Sequence, residues 1–376
     1  MSTIKVNSIE SATGGGVDAK IASVNSGSIG NRNLIINGAM KFAQRSTSAT
    51  GKTGSGIYAT DRMLADIGSA GTWTISQDSE SPDGFSKSTK FQCTTANSSL
   101  AAGAFLLFQY RFEGHDVQPL AKGTSGAKTF TVSFHVRSNK TGTYILGVND
   151  RDNTRNNSKP YTISAANTWE KKTVTFEADT TGALNDDNGE SLRLDFWLAA
   201  GTNFTSGSAI TGWEATTNAN RAKNLGVNLA DSTSNNWYIT GLQMEVGSVA
   251  TEYEHKLYCQ ELASCQRYYE SNMSPNGPVT TTDGSISSQW SYMGSQDSNS
   301  LLASTGIVYK ATKRVQPTVT IYNPSDTSTA NRANSEGNNK TVTAVYGGIN
   351  AAGRVYVSGC SAGDYVTYNW EASAEL

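Results

Sequence analysis

The residues best suited to chemistry lie on two alternating stretches. Over 192–198, Leu192, Leu194, Phe196 and Leu198 alternate with Arg193, Asp195 and Trp197. A two-residue period turns the apolar set toward a core and the other three outward. An outward indole beside a cation and a carboxylate suits a sugar. The ring covers the apolar C–H face, and the charged groups bond the hydroxyls. Over 129–137, Phe130, Val132, Phe134 and Val136 alternate with Thr131, Ser133, His135 and Arg137. His135 and Arg137 are therefore expected outward, on the same sheet face as Arg193 and Trp197. Trp213, in the Gly-flanked loop TGWEA, is a further rim candidate. The plainer alternative for both tryptophans is packing under a loop or against a neighbouring protomer.

The acidic turn NDDNGE at 185–190 is the metal candidate. Asp186, Asp187 and Glu190 offer oxygen ligands on a glycine-containing loop, which suits Ca²⁺, though without EF-hand spacing. No other cofactor is expected. Cys93, Cys259, Cys265 and Cys360 form no CxxC pair, which argues against zinc. His115, His135 and His255 are the three histidines. Neither a serine nucleophile elbow nor HExxH occurs. GTSGAK at 123–128 lacks the spacing of a phosphate loop. No catalytic residues are assigned, and the chain is expected not to be an enzyme. His255 is expected to pack at a domain junction, and Tyr268 and Tyr269 to anchor a helix to a sandwich.

The elements that must carry these residues are strands. Ser, Thr and Asn together supply 119 of the 376 residues, and 36 more are Gly. So many short polar and turn-forming residues argue against a helical bundle. Short apolar runs recur at 105–112, 143–149, 171–178 and 237–244, separated by Gly, Asn, Asp and Ser clusters. Strand runs return at 306–309, 317–322, 341–346, 354–357 and 365–370. The fold class is all-β: a jelly-roll β-sandwich over 31–256, a short linking helix over 257–270, and a smaller distal β-domain over 271–376. Residues 1–30 read as an arm with too few apolar groups for a core.

Charge and hydropathy exclude other classes. Charged residues make up 16% of the chain and the net charge is −2. No basic run reaches the length of a nucleic-acid patch, so no nucleic-acid partner is expected. No apolar stretch approaches the roughly 18 residues of a membrane span, so membrane insertion is not expected. The polar start over 1–18 is not expected to be a secretory signal.

Several stretches resemble one family. RNLIINGAMKFAQRS at 32–46 and TDRMLAD at 60–66 look like the opening of bacteriophage tail-fibre and virion structural proteins. So do residues 109–144 and ISAANTWEKKTVTFEADTTG at 163–182. YITGLQMEVGSVATEYEHKLYCQELASCQRYYE at 238–270 is the most specific piece. The start STIKVNSIESATG and the end ASAEL are similar too.

Such proteins are similar to carbohydrate-binding modules with a jelly-roll fold. The resemblance implies a homotrimeric tail fibre or adhesin on the virion, made in the host cytoplasm. Its partners would be other virion proteins (tail, baseplate or capsid) and host cell-surface polysaccharide. Ile4, Val6 and Ile9 are the arm's apolar positions for docking onto the particle. One alternative is a capsid decoration or baseplate connector. A less favoured one is a polysaccharide depolymerase, which would need carboxylates about 5–10 Å apart.

Overall fold

The computed structural model describes residues 31–273, 289–292, 295–297, 300–303, 306–324, 326–335, 338–360 and 365–376. The docking positions Ile4, Val6 and Ile9 lie outside the described residues. Twelve strands build the first unit. They are β1 (Ser48–Lys52), β2 (Met63–Gly68), β3 (Thr72–Asp78), β4 (Ser88–Thr95), β5 (Phe105–Glu113) and β6 (Phe130–Ser138). Then come β7 (Gly142–Asp150), β8 (Arg155–Ile163), β9 (Glu170–Phe176), β10 (Glu190–Ala200), β11 (Glu214–Ala215) and β12 (Asn236–Val246). They form two antiparallel six-stranded sheets, β1-β3-β4-β12-β6-β9 and β11-β8-β7-β10-β5-β2. The chain crosses repeatedly between the layers, which gives the jelly-roll β-sandwich.

Alternation explains the core. Phe130, Val132, Phe134 and Val136 of β6 are buried, as are Leu192, Leu194, Phe196 and Leu198 of β10. These inner faces meet through aromatic rings. Phe134 lies 5.0 Å from Phe196 between centroids, and Phe108 lies 5.5 Å from Trp237. Offset and edge-on pairs of this kind hold two sheets in one register. Leu34–Ile36 was an apolar run in the sequence, yet it is loop that packs on the sandwich end. The Leu34 amide donates to the Met244 carbonyl at 2.9 Å.

The expected helix is shorter than 257–270. It spans Tyr258–Gln266, and Tyr269–Ser271 is already a strand. That strand pairs with Tyr365–Ser373, with Tyr269 opposite Ser373 and Ser271 opposite Glu371. A distant strand thus captures residues whose local pattern is helical. Together with Thr318–Asn323, Asn338–Gly347 and Ala351–Ser358 these strands surround a second core of Ile307, Ile321, Val355, Val357, Tyr368 and Trp370.

The two units are clasped tightly. Tyr268 is buried, its hydroxyl donating to Glu113 at 2.8 Å, with the Arg62 guanidinium 3.5 Å above its ring. Glu375 binds both Arg45 and Arg62. Arg314 of the distal unit donates to the Asn188 carbonyl of the sandwich, and Arg111 of the sandwich to the Leu376 carbonyl at 2.7 Å. A buried ion pair, Lys313 with Glu270 at 2.7 Å, locks the segment after the helix.

Candidate functional site

The expected sugar platform on β10 is not open. Arg193, Asp195 and Trp197 do point away from the core, but residues of the 201–227 stretch cover Asp195 and Trp197. Trp197 is 1% exposed and packs among Leu107, Ile145 and Ala222, with Phe204 5.1 Å away and the Arg221 guanidinium over its ring. Asp195 is fully buried, accepting from Gln109 at 2.8 Å, Asn149 at 2.6 Å and Arg221 at 2.8 Å. Arg193 is tied to Glu190 by two hydrogen bonds. Asp195 and Trp197 are spent on holding the covering loop down, and Arg193 on its own strand. The plainer alternative for Trp197, packing under a loop, is the one realised.

The second expectation fails on topology. β6 and β10 belong to different sheets, so His135 and Arg137 face outward on the side opposite Arg193 and Trp197. Alternation fixes which side of its own sheet a residue takes, but not which sheet the strand joins. Arg137 donates to the Asn167 carbonyl at 3.0 Å and lies over the Tyr238 ring. Trp213 is half-buried, donating to the Glu177 carbonyl at 2.8 Å, with the Lys122 ammonium 5.0 Å from its ring.

The acidic turn does not gather its carboxylates. Asp186 pairs with His115 at 2.6 Å, and Asp187 caps its own turn at the Gly189 amide. Glu190 turns back to Arg193. Among the described residues no group of three His, Cys, Asp or Glu side chains converges on a cation position. A cation of another kind sits nearby. The buried Lys122 ammonium meets Asp150 Oδ2 at 2.5 Å, Asp179 Oδ2 at 3.0 Å, and the Thr181 and Gly182 carbonyls at 2.9 Å each.

The residue that organises an open site is Phe85, for which the sequence reading had no role. Pro82-Asp83-Gly84-Phe85 is a turn, with the Phe85 amide donating to the Pro82 carbonyl at 3.1 Å and Gly84 at φ +86°. That positive φ at the third position calls for glycine. The turn lays Phe85 over the outer face of β6 and β12. Its ring centroid is 5.2 Å from His135, 5.1 Å from Tyr253 and 5.4 Å from His255. Room is made by a bulge in β12, where the pairing with β6 shifts between Thr240 and Gln243. Gly241 sits there at φ +61°, and a Cβ would lie 2.6 Å from the Phe85 ring and 2.9 Å from His135 Nδ1. Bulges commonly re-aim side chains beside sites.

The result is a cleft of about 350 Å³ lined by Ala39, Lys41, Gly84, Phe85, Ser86 and His255. It continues past Ala39, Lys41 and His255 into a small recess of about 20 Å³ with Tyr253, Lys256, Tyr258 and Glu261. Lys41, His255 and Tyr258 are exposed. Lys256 donates to the Asn33 carbonyl, and Glu261 accepts from the Asn37 amide. Burial, with the nearby Lys171 ammonium second, lowers the pKa of His135 and favours its neutral imidazole. Burial raises the Tyr253 phenol, with Glu261 adding to it. The cleft therefore offers an aromatic wall, protonated hydroxyl and ammonium donors, and an imidazole. It can grip a polar ring by face and edge. Its imidazole is that of His255, while His135, the sequence candidate nearest to it, packs against the Phe85 ring and does not line the cleft.

No protein-family model matches this chain, and no curated protein does. Among solved structures, it is similar to the enzymatically active domain of tailspike protein 4 of bacteriophage CBA120, at 13% identity and a TM-score of 0.28. That match covers 57% of this chain and 21% of the tailspike chain. It is also similar to a CBM4 carbohydrate-binding module, at 13% identity and a TM-score of 0.28, covering 56% of this chain and 97% of the module. A family 11 carbohydrate-binding module of Clostridium thermocellum, in complex with a mixed-linked tetrasaccharide, has 9% identity and a TM-score of 0.28. It covers 55% of this chain and 99% of that one.

Proposed function

We propose that this chain is a glycan-binding subunit of a bacteriophage appendage, acting in host adsorption without catalysing a reaction. The observation that carries this reading is the open cleft beside Phe85. Its half-buried aromatic face and its polar edge from Lys41, Ser86 and His255 suit a neutral or mixed sugar ring. The resemblance of the 32–46 and 238–270 stretches to virion proteins supports the setting. In this reading the arm docks on tail, baseplate or capsid proteins, the chain is a homotrimer on the virion, and the ligand is host surface polysaccharide. A trimer converts millimolar single-site contacts into firm attachment.

Titration of the purified chain with host surface polysaccharide tests the proposal. Binding is expected, with about a tenfold loss for Phe85→Ala, or ~1.4 kcal/mol. Light scattering is expected to give three copies. A monomer that binds no host polysaccharide, or release of cleaved saccharides from it, overturns the proposal.

A further inference from the structure

The hairpin of Asn338–Gly347 and Ala351–Ser358 in the distal domain carries a second feature. Its inner side supplies Val342, Val355 and Val357 to the core. Its outer side presents Tyr346, Tyr356 and Arg354. Tyr346 is 61% exposed, and Arg354 stands directly opposite it in the register. The tyrosine rings are 5.5 Å apart at 79°, forming an open right-angled corner. The pairing then slips, with Tyr346 opposite Arg354 but Gly347 opposite Ala352. Gly353 is the extra residue of that bulge.

Glycine keeps the corner open. A Cβ on Gly348 would meet nothing within 4 Å, and one on Gly353 would only reach the Tyr346 carbonyl at 4.0 Å. The groove has a volume of about 510 Å³, the size range of a small oligosaccharide site. Its charge is one-sided. The sequence from 338 to 358 contains Lys340 and Arg354 and no Asp or Glu. Among the groove's lining residues, which are otherwise tyrosine, glycine and alanine, Arg354 alone is charged.

We infer that this groove is a second saccharide site, and that it takes an acidic sugar, a uronic acid. One pyranose ring lies in the corner of Tyr346 and Tyr356, and its carboxylate meets the Arg354 guanidinium in a forked pair. Arg is the side chain suited to planar, two-point recognition of a carboxylate. The inference rests on the glycan-binding reading but uses a different site, so the two can fail separately.

The test is calorimetric titration of the full chain with tetragalacturonate and, as the neutral control, cellotetraose, at low salt. The acidic ligand is expected to bind more tightly. Arg354→Gln is expected to lower its affinity about tenfold while leaving the neutral ligand unchanged. Tyr346→Ala is expected to weaken both ligands, and Phe85→Ala to leave the acidic ligand unaffected. Gly353→Leu, which has room for its side chain, fills the groove and is expected to abolish acidic binding without changing the melting temperature. Unchanged tetragalacturonate affinity in Arg354→Gln and Gly353→Leu overturns the distal site. Loss of that affinity in Phe85→Ala alone also overturns it, while leaving the glycan-binding reading intact. Failure of both sugars and of host polysaccharide to bind overturns both.

Discussion

Lys122 places its ammonium nitrogen 2.5 Å from Asp150 Oδ2, and both side chains are buried. With Asp179 and the Thr181 and Gly182 carbonyls, this is an oxygen cage around a single positive charge. Four oxygens, two of them carboxylate, are also a partial ligand set for Ca²⁺. Lys122→Ala is expected to destabilise the sandwich by about 3 kcal/mol, because the buried Asp150 carboxylate loses the ammonium it pairs with, while Asp179 keeps Arg155. Millimolar Ca²⁺ is expected to restore part of that loss, while the wild-type melting temperature is unmoved by chelator. Thermal melts with CaCl₂ and with EDTA check it. A variant as stable as the parent would remove the ammonium from its structural role.

Trp197 is expected to matter for stability and not for sugar binding. Its indole is enclosed by Leu107, Ile145, Ala222 and Phe204. Trp197→Ala is expected to cost about 3–5 kcal/mol through the cavity it leaves. Binding of polysaccharide by the fraction that remains folded is expected to stay within about twofold of wild type, or ~0.4 kcal/mol. Urea melts paired with titration at low temperature separate the two effects.

The contrast between Trp197 and Phe85 measures what a sequence can reveal. The alternation at 130–136 and 192–198 gave the buried sets of β6 and β10 correctly, because burial follows the two-residue pleat. It also placed Trp197 on the outward side. It did not reveal the loop that returns over that side, since residues 201–227 carry no periodic signal that ties them to β10. Likewise, His135 and Arg193 share an outward direction but sit on opposite sheets, a matter of strand order that only long-range pairing decides. The helix ending at Gln266 instead of residue 270 has the same origin, since the Tyr365–Ser373 strand claims Tyr269–Ser271. Phe85 had a legible local signal, an aromatic closing a PDG turn. What seats it beside an open cleft, the Gly241 bulge beneath it, lies more than 150 residues away in sequence.

Asp61 makes stability depend on pH. Burial raises its pKa to about 6, against the pull of Arg45 and the Gln44 hydrogen bonds. The folded state thus binds this proton more tightly than the unfolded chain, whose value is the ordinary 3.8. The sign follows from linkage: the contribution is fully present below about pH 4 and is lost as pH rises through about 6. Two units correspond to about 3 kcal/mol. Asp61→Asn is expected to flatten that part of the profile, read from urea melts at pH 4.5 and 7. An unchanged slope in the variant would assign the dependence elsewhere.

Glu375 joins the two β units through Arg45 and Arg62. Glu375→Gln removes one partner of a largely buried guanidinium, Arg62, and is expected to destabilise the junction by about 3 kcal/mol. Calorimetry is expected to show one transition in the wild type and two in the variant, the distal unit melting first. One unsplit transition in the variant would assign the coupling to the helix and Tyr268 instead.

That junction has a consequence for how the molecule measures its surroundings. The connection between the units ends in a strand of the second sheet, and arginines on either side bind across the junction. Units within one chain ordinarily drift relative to one another. In the glycan-binding reading, the Phe85 cleft and the Tyr346 corner sit on units joined by this junction, like the jaws of a caliper. In that reading, a polymer whose repeats match the distance between them engages the second position without a further loss of freedom between the units. One whose repeats do not match gains nothing from the second position. The discrimination then lies in the polymer's periodicity, over and above the identity of any single sugar.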